Sequence, residues 1–401
     1  MIHWFNPGHE TAVLNASPFY QAPENQVKMQ QDLAFLPAWY AGKNDFVFIE
    51  HPLPDSFQQQ IQAFSIAEPI TTSEIHPNSE RLKRQIVSPW GISPQSIHYF
   101  EKLNRQYSVD WQIPVWTDDL RHLGSRFTAQ EILFHLIASI PSIENNILPQ
   151  FFSSIEEIET YLSQSTDKQL LKSPFSSSGR GLIWLPPGKL ARSERQIISG
   201  MLKKQGQVSI EKALDKRLDF SMHFDIPNPE EIHFLSYSVF QTNAKGAYER
   251  SRLASQTVLL QEITNYISIE TLEAVKQQLL VQIKNTYAVH YQGTIGVDML
   301  IYFSGNRYRL HPCVEINMRK SMGYLALQFS ENILAPDSEG VFFVEFYTQM
   351  GNILDKNREL QTKYPLVVRE GRVVSGYLAL CPVNKDTRYW SYVVVGSYTG
   401  G

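Results

Sequence analysis

A lysine stands directly before a serine- and glycine-rich stretch in residues 170–186, LLKSPFSSSGRGLIWLP. Two apolar runs flank the polar stretch, which predicts two strands joined by a loop. Successive backbone N–H groups in such a loop can bind an anion, and Lys172 would add a point charge at its edge. The order differs from a Walker loop, because the lysine precedes the glycines. The segment alone predicts either a phosphate-binding loop or an ordinary surface hairpin.

A second informative segment, residues 293–319, has the pattern of a β-hairpin. Two stretches of alternating polar and apolar residues flank Gly305-Asn306, a pair that favours a two-residue hairpin turn. This turn sets the register and places Asp298 opposite Cys313. One face of the hairpin is then almost wholly apolar, and a slip by one residue would mix the two faces. The pattern therefore supports this register.

The polar face of this hairpin carries residues that could bind a metal ion. Asp298 would lie diagonal to Glu315, about 7–8 Å away between backbones, and Asn317 follows on the same strand face. Two carboxylates and an amide oxygen form an all-oxygen site, which Mg²⁺ prefers when phosphate oxygens and water complete it. Arg319 continues the alternation and could face a phosphate under transfer. A solvated polar face is the alternative, but the apolar face behind it favours the metal.

Two further acidic residues could contact a nucleotide. Glu211 and Lys212 end the predicted strand in VSIEKAL, and Asp219 follows in KRLDFSM. A carboxylate at a strand end can accept a hydrogen bond from a ribose hydroxyl or an amino group. Exposed charges on a sheet explain the same residues equally well. These segments alone leave the choice open.

Substrate-binding residues are the least defined. Asn6, His9 and Glu10 lie in a turn after the first predicted strand, and such turns face the ligand crevice in open α/β sheets. Arg250 and Arg252 lie two apart on one face of a predicted strand, where they could clamp a carboxylate or a phosphate. An ordinary turn and a solvated strand face are the alternatives. We predict that all of these residues contact a substrate, and the sequence alone does not decide between this role and the two alternatives.

Composition limits the class of function. The chain of 401 residues is 43% hydrophobic and 19% charged, which suits a globular protein of two or three domains. A net charge of −4 without any basic block argues against broad nucleic-acid binding. The distant Cys313 and Cys381 indicate no disulfide framework and suit a reducing compartment. With no signal peptide or membrane span in the pattern, we expect a cytoplasmic protein that binds neither nucleic acid nor membrane.

Three motifs in this order resemble the ATP-grasp superfamily: K-x-P-x-S-S-S-G-R-G, then I-E-K-A-L, then G-V-D-M with V-E-I-N-M-R. The resemblance covers roughly residues 125–330. It implies an α/β and α+β protein with the ATP-grasp fold, in which a small N-terminal α/β domain precedes two α+β subdomains that clasp the nucleotide. We place the N-terminal domain at residues 1–122, the subdomain with the glycine-rich loop at 123–215, and the subdomain with the metal-binding hairpin at 216–401.

The resemblance also assigns roles to individual residues. Lys172 matches the lysine that contacts the nucleotide phosphates, and Arg319 matches a basic residue near the transferred phosphate, so both are expected to be catalytic. Arg126 lies where the family often has a phosphate-contacting lysine ahead of a helix. The implied metal ligands are Asp298, Glu315 and Asn317. The implied nucleotide contacts are Ser176, Ser177, Ser178, Gly179, Arg180 and Gly181 in the loop, followed by Ile210, Glu211, Lys212, Leu214 and Asp219.

ATP-grasp enzymes mostly convert a carboxylate into an acyl phosphate, which an amine then attacks. The resemblance therefore implies an ATP- and Mg²⁺-dependent carboxylate–amine ligase, with Mn²⁺ as an alternative metal, that releases ADP and phosphate. Its partners would be a small-molecule carboxylate and an amine, and a homodimer is one option for its assembly. A small-molecule kinase and a non-catalytic nucleotide-binding protein are the alternative functions.

Overall fold

The structure is a computed structural model that describes residues 1–176 and 181–396. The chain forms two compact units, each built from more than one stretch of sequence. The first unit comprises residues 1–117, residues 249–259 and the chain from residue 319 onward, and the second comprises residues 118–248 and 260–318. The expected division into three domains, with boundaries after residues 122 and 215, remains a prediction.

The N-terminal part of the first unit is a parallel sheet with helices, which confirms the predicted small α/β arrangement. Its elements are β1 (Ile2–Trp4), α1 (His9–Asn15), α2 (Glu24–Asp32), β2 (Phe46–Phe48), α3 (Asp55–Ile61), β3 (Glu68–Ile70), β4 (Val87–Pro89) and α4 (Pro94–Tyr107). All strand pairs in it are parallel, and the strand order is β3-β2-β1-β4. Trp4 and Phe48 pack with Phe100 of α4 in its buried core.

The second unit contains two antiparallel sheets. The elements from residue 118 to residue 317 are α5 (Asp118–Leu123), α6 (Arg126–Ser139), β5 (Gln150–Phe152), α7 (Ile155–Gln164), β6 (Gln169–Lys172), β7 (Leu182–Leu185), α8 (Arg192–Gln205), β8 (Val208–Lys212), β9 (Asp215–Asn228), β10 (Glu231–Thr242), β11 (Tyr248–Leu253), α9 (Gln256–Thr264), α10 (Ile269–Tyr287), β12 (Gly293–Ser304) and β13 (Arg307–Asn317). One sheet has the order β5-β8-β6-β7 and the other has the order β13-β12-β9-β10. Strand β11 belongs to the first unit.

The remaining elements complete the first unit. They are α11 (Met322–Asn332), β14 (Gly340–Phe346), α12 (Asn352–Lys363), β15 (Val367–Arg369), β16 (Arg372–Ala379) and β17 (Tyr389–Val395). Strands β11, β14, β17, β16 and β15 follow one another in an antiparallel arrangement. Tyr377, Trp390 and Tyr392 form much of the buried core beside α12.

An apolar layer fixes the strand that carries Lys172. Leu171 of β6 packs with Ile158 of α7 and with α8 in a buried core. Helix α7 begins at a capping box, in which the hydroxyl of Ser154 accepts the N–H of Glu157 and the Glu157 carboxylate accepts the N–H of Ser154. Because Leu171 faces this core, the next side chain, Lys172, points to the opposite face of the sheet.

The predicted turn of the β12–β13 hairpin is confirmed. Gly305 and Asn306 have φ angles of +57° and +65°, as a type I′ turn requires. Next to the turn, Ser304 pairs with Arg307, and the register continues as predicted as far as Leu300 opposite His311.

Beyond that pair, the predicted register is wrong. Asp298 lies directly opposite Glu315, not opposite Cys313 and diagonal to Glu315. Strand β13 has residues 312–314 where β12 has Met299 alone, and Pro312 has no N–H to donate to the ladder. Two extra residues preserve the alternation of faces, so Glu315 stays on the face of Asp298 and moves closer to it.

Candidate nucleotide-binding site

A cavity of about 400 Å³ lies within the second unit. Its size is typical of a small-molecule site. Its apolar lining consists of Leu170, Leu182, Trp184, Leu214, Phe240, Ala244, Met299, Leu300 and Val314. Its charged lining consists of Arg126, Lys172, Glu211, Lys212, Lys216, Asp219, Asp298 and Glu315. An apolar wall beside a cluster of cations and carboxylates suits a ligand with a flat base and a phosphate chain.

Lys172, the last residue of β6, is 4% exposed and forms an ion pair with Glu211. In the pairing of β6 with β8, Glu211 is opposite Leu170, two residues from Lys172. A buried charge is costly unless a counter-charge neutralises it. The two residues that the sequence left as separate candidates therefore neutralise each other in one cavity.

The edges of the glycine-rich loop are well defined. The N–H of Ser173 donates to the carbonyl of Gly181 over 3.1 Å, which closes the loop next to Lys172. Gly181 has a φ of +78°, and a Cβ there would lie 2.8 Å from the Ser173 hydroxyl oxygen, so a glycine is required. Ser176 accepts a hydrogen bond from Arg126 over 3.4 Å. The other predicted loop contacts, Ser177, Ser178, Gly179 and Arg180, lie outside the described residues.

The predicted metal ligands lie together on one face of the hairpin. Asp298 accepts hydrogen bonds from the Ser221 hydroxyl over 2.6 Å and from the Asn317 amide over 2.9 Å. Glu315 lies directly opposite Asp298, and Asn317 lies opposite Gly296 on the same side of the ladder. Two carboxylates with an adjacent amide are a donor set that Mg²⁺ accepts when phosphate oxygens and water complete its shell. Within the described ranges, no cluster of three or more His, Cys, Asp and Glu side chains could hold a metal alone.

Arg126 links the edge of the glycine-rich loop to the hairpin. It is the first residue of α6, and its Nε donates to the Ser173 carbonyl over 3.0 Å. Its Nη2 donates to the Glu315 carboxylate over 2.9 Å. The planar guanidinium suits this task, because its donors point along fixed, separate directions. The residue that the resemblance assigns to phosphate contact is thus paired with a predicted metal ligand.

Two buried residues of β13 near the charged cluster are neutral. Burial, with a smaller contribution from Lys172, lowers the pKa of His311 to about 3, so the imidazole is uncharged near neutral pH. Burial and the charges of Asp298 and Glu315 raise the pKa of the Cys313 thiol well above its usual range. Cys313 donates instead to the carbonyl of Ala129 in α6 over 3.5 Å. Both residues are buried and keep their uncharged forms.

The predicted nucleotide contacts in β8, after β8 and in β9 lie in different environments. Ile210 is fully buried in the core between β5 and β6, so only its backbone could contact a ligand. Lys212 lies at the cavity edge, where it pairs with Asp167 over 2.7 Å. Leu214 lines the cavity after β8 ends. Asp219 of β9 also lines the cavity and accepts from the Lys216 ammonium over 2.6 Å.

The predicted residues of the N-terminal turn lie in the first unit, as does Arg319. Asn6 exchanges two hydrogen bonds with the backbone of Gly91, of 2.8 and 3.1 Å, and so joins the chain after β1 to the chain after β4. Arg319 donates through Nε to Glu10 over 2.6 Å. Burial alone would raise the pKa of Glu10, but Arg319 and His9 hold it well below its usual range. Glu10 is therefore ionised at neutral pH.

The two candidate arginines on β11 also lie in the first unit. Arg252 pairs with Glu339 over 2.9 Å, and both side chains are well exposed, by 43% and 50%. Arg250 is opposite Phe343 of β14 in the ladder and is half-buried. The pair at Arg252 has the character of a solvated surface contact.

Sequence reasoning missed several residues that complete the cavity. Trp184 and Phe240 contribute aromatic lining from β7 and β10. Thr242 donates its hydroxyl to Asp219 over 3.0 Å, and Ser221 holds Asp298. The alternation of β9 and β10 was visible in the sequence, but it does not show which face borders a ligand.

Comparison with solved structures shows the fold of the chain. It is similar to N5-carboxyaminoimidazole synthetase from Staphylococcus aureus complexed with ADP, with a TM-score of 0.50 and 13% identity over 99% of this chain and 93% of that chain. It is also similar to a biotin carboxylase–β,γ-ATP complex from Campylobacter jejuni, with a TM-score of 0.50 and 10% identity over 98% of this chain and 87% of that chain. The predicted ATP-grasp fold is thereby confirmed.

Other comparisons add two observations. No protein-family model and no curated protein matches the sequence. Across residues 1–176 and 181–396, no helix combines the length and the apolar character needed to cross a bilayer.

Proposed function

We propose that this protein is an ATP- and Mg²⁺-dependent ligase that joins a small-molecule carboxylate to an amine. The carboxylate oxygen would attack the γ-phosphorus of ATP, which releases ADP and forms an acyl phosphate. The amine nitrogen would then attack the acyl carbon, lose a proton and expel inorganic phosphate. The two solved structures compared above carry adenine nucleotides by name, ADP in one and β,γ-ATP in the other.

One observation carries the proposal. Lys172 and Glu211 of one sheet, and Asp298 and Glu315 of the other, border a single cavity within the second unit. A cation beside two facing carboxylates suits a triphosphate–metal complex, in which each charge has a counter-charge. A solvated surface would not bury Lys172.

The chain's own residues divide the work in this proposal. Lys172 and Arg126 would bind phosphate oxygens and offset their charge. Asp298, Glu315 and the amide of Asn317 would hold Mg²⁺, or Mn²⁺ in its place, which neutralises charge on the triphosphate when bound. Glu211 and Asp219 would take the base and the ribose. The roles of Arg319, Arg250, Arg252 and the N-terminal turn at the substrates remain predictions.

A product analysis tests the ligase proposal. The purified protein is incubated with Mg²⁺-ATP, pools of small acids and pools of amines, and the products are identified by mass spectrometry. We expect ADP together with a condensed product whose mass is the sum of the acid and the amine minus water. Omission of either the acid or the amine pool should prevent the condensed product, which serves as the control.

Two other outcomes would contradict this proposal. A stable phosphorylated product without condensation would identify a small-molecule kinase. Nucleotide binding with no product from any pool would favour a non-catalytic nucleotide-binding protein.

We also infer that the protein works in the cytoplasm, which is supported by Cys313 and Cys381, both buried as free thiols.

A further inference from the structure

We propose that Arg126 is a built-in counter-ion of Glu315. A metal ion must replace Arg126 at the Glu315 carboxylate before Nη2 of the guanidinium can turn to the nucleotide, so that metal and nucleotide bind cooperatively. The inference rests on the proposed function, because it concerns the same cavity. It gives Arg126 a role beyond phosphate contact. As long as Arg126 is paired with Glu315, the affinity for the nucleotide depends on whether the metal ion is bound.

The hydrogen bonds of Arg126 engage two of the three nitrogens of its guanidinium, Nε and Nη2. Nε is bound to the Ser173 carbonyl, and Nη2 is bound to Glu315 over 2.9 Å and to Ser176 over 3.4 Å. The side chain is only 10% exposed, so water cannot easily replace these partners. A phosphate that takes the shorter and charged of the two Nη2 contacts must therefore displace the Glu315 carboxylate.

Displacement of Glu315 has a cost that depends on the metal. Its side chain is 31% exposed, and it lies directly opposite Asp298. Without Arg126 or a metal, two facing carboxylates would border a triphosphate, and like charges at this distance repel. A divalent cation at Glu315 supplies the missing positive charge and lets Arg126 turn to the phosphates. Each ligand should then raise the affinity of the other by the same factor.

The hairpin offers a matched control. Asp298 lies on the same face as Glu315, but it accepts from Ser221 and Asn317, whereas the carboxylate that accepts from Arg126 is that of Glu315. Asp298→Asn therefore removes one negative charge from the cavity and leaves the Arg126–Glu315 pair in place. Any effect of Glu315→Gln that exceeds that of Asp298→Asn reports the release of Arg126.

The experiment measures nucleotide affinity without metal. β,γ-Methylene-ATP is titrated into the full-length protein by calorimetry in a buffer that contains EDTA. The proteins compared are the wild type, Glu315→Gln, Asp298→Asn, Arg126→Gln and the double variant with both Arg126→Gln and Glu315→Gln. We expect Glu315→Gln to bind about five- to tenfold more tightly than the wild type, and Asp298→Asn to gain at most about twofold. The gain from Glu315→Gln should vanish in the Arg126→Gln background.

The results distinguish a failure of this inference from a failure of the proposed function and from a variant that does not fold. If Glu315→Gln gains as much in the Arg126→Gln background, or no more than Asp298→Asn, simple charge repulsion explains the effect and the inference is wrong. If the wild type binds no nucleotide even with Mg²⁺, the proposed function fails instead. Thermal unfolding checks each variant. If the double variant does not fold, Arg126→Lys replaces Arg126→Gln, since one ammonium cannot reproduce the fork, and an undiminished gain would again overturn the inference.

Discussion

Two arginine–glutamate pairs, one in each unit, have similar chemistry but different surroundings. Arg126 binds Glu315 over 2.9 Å in the second unit, and Arg319 binds Glu10 over 2.6 Å in the first. The Arg126 pair borders a cavity with a second carboxylate across the ladder. In the Arg319 pair, both side chains are 17% exposed, Nη1 of the arginine donates to the carbonyl of Lys320, and His9 lies beside the carboxylate.

The difference in surroundings predicts different effects for the two pairs on ligand binding and on stability. The partners of Glu10 fix one conformation of the turn after β1, whereas Glu315 and Arg126 border space that a ligand can enter. Substitutions of these glutamates should therefore have different consequences. Glu315 should matter for ligand binding and turnover, and Glu10 should matter for the stability of the first unit.

The largest effect is expected from Glu315→Gln. Loss of one carboxylate from the proposed metal site should reduce Mg²⁺-dependent ATP turnover at least about 100-fold, because the neutral amide of glutamine binds the metal more weakly than the carboxylate that it replaces. The unfolding midpoint should stay close to that of the wild type, since the Glu315 side chain is 31% exposed and a partly solvated ion pair contributes little to stability. Steady-state kinetics and thermal unfolding check this. Full activity would remove Glu315 from the site.

Lys172→Ala should weaken ATP binding by about 100-fold, measured by calorimetry with Mg²⁺ present. The change removes a buried cation from the cavity and leaves Glu211 without its counter-charge. Lys276→Ala is the matched control, because Lys276 also pairs with a glutamate in the second unit, Glu273 over 2.6 Å, and lies outside the cavity lining. Equal affinity of the Lys172 variant and the wild type would exclude the lysine from the nucleotide site.

Glu10→Gln should lower the free energy of unfolding by about 1–3 kcal/mol, because Arg319 loses a charged hydrogen-bond partner in a buried position. The low folded-state pKa of Glu10 stabilises the protein above the unfolded-state pKa of about 4.3, and this contribution disappears as the pH falls through the folded-state value. The wild type should therefore lose more stability than the variant below about pH 4. Chemical denaturation at several pH values measures this, and parallel curves would refute it.

The smallest effect is expected from Arg252→Ala. The pair of Arg252 with Glu339 is solvated on both sides, so its removal should change the free energy of unfolding by less than about 1 kcal/mol. Raising the salt concentration should reduce even this difference. A destabilisation of several kcal/mol in denaturant titrations would show that the pair resembles the buried Glu10–Arg319 contact.

Local patterns predicted much of the fold and part of the site. The Gly305-Asn306 turn, the strands on either side of the glycine-rich loop and the parallel N-terminal sheet follow from short-range propensities. The local irregularity around Pro312 was missed, because the pairing of two strands depends on both of them and on the strand beyond. The Arg126–Glu315 contact joins residues 189 positions apart, which no local pattern reveals.

The central claim is that the cavity of the second unit is an ATP site. Photolabelling with 8-azido-ATP and Mg²⁺, followed by peptide mapping, tests it most directly in the full-length protein. We predict that the label attaches to the apolar lining on β7 or β10, at Leu182–Leu185 or near Phe240, and that excess ATP prevents it. Label found only in residues 1–117 or 319–396 would contradict the account.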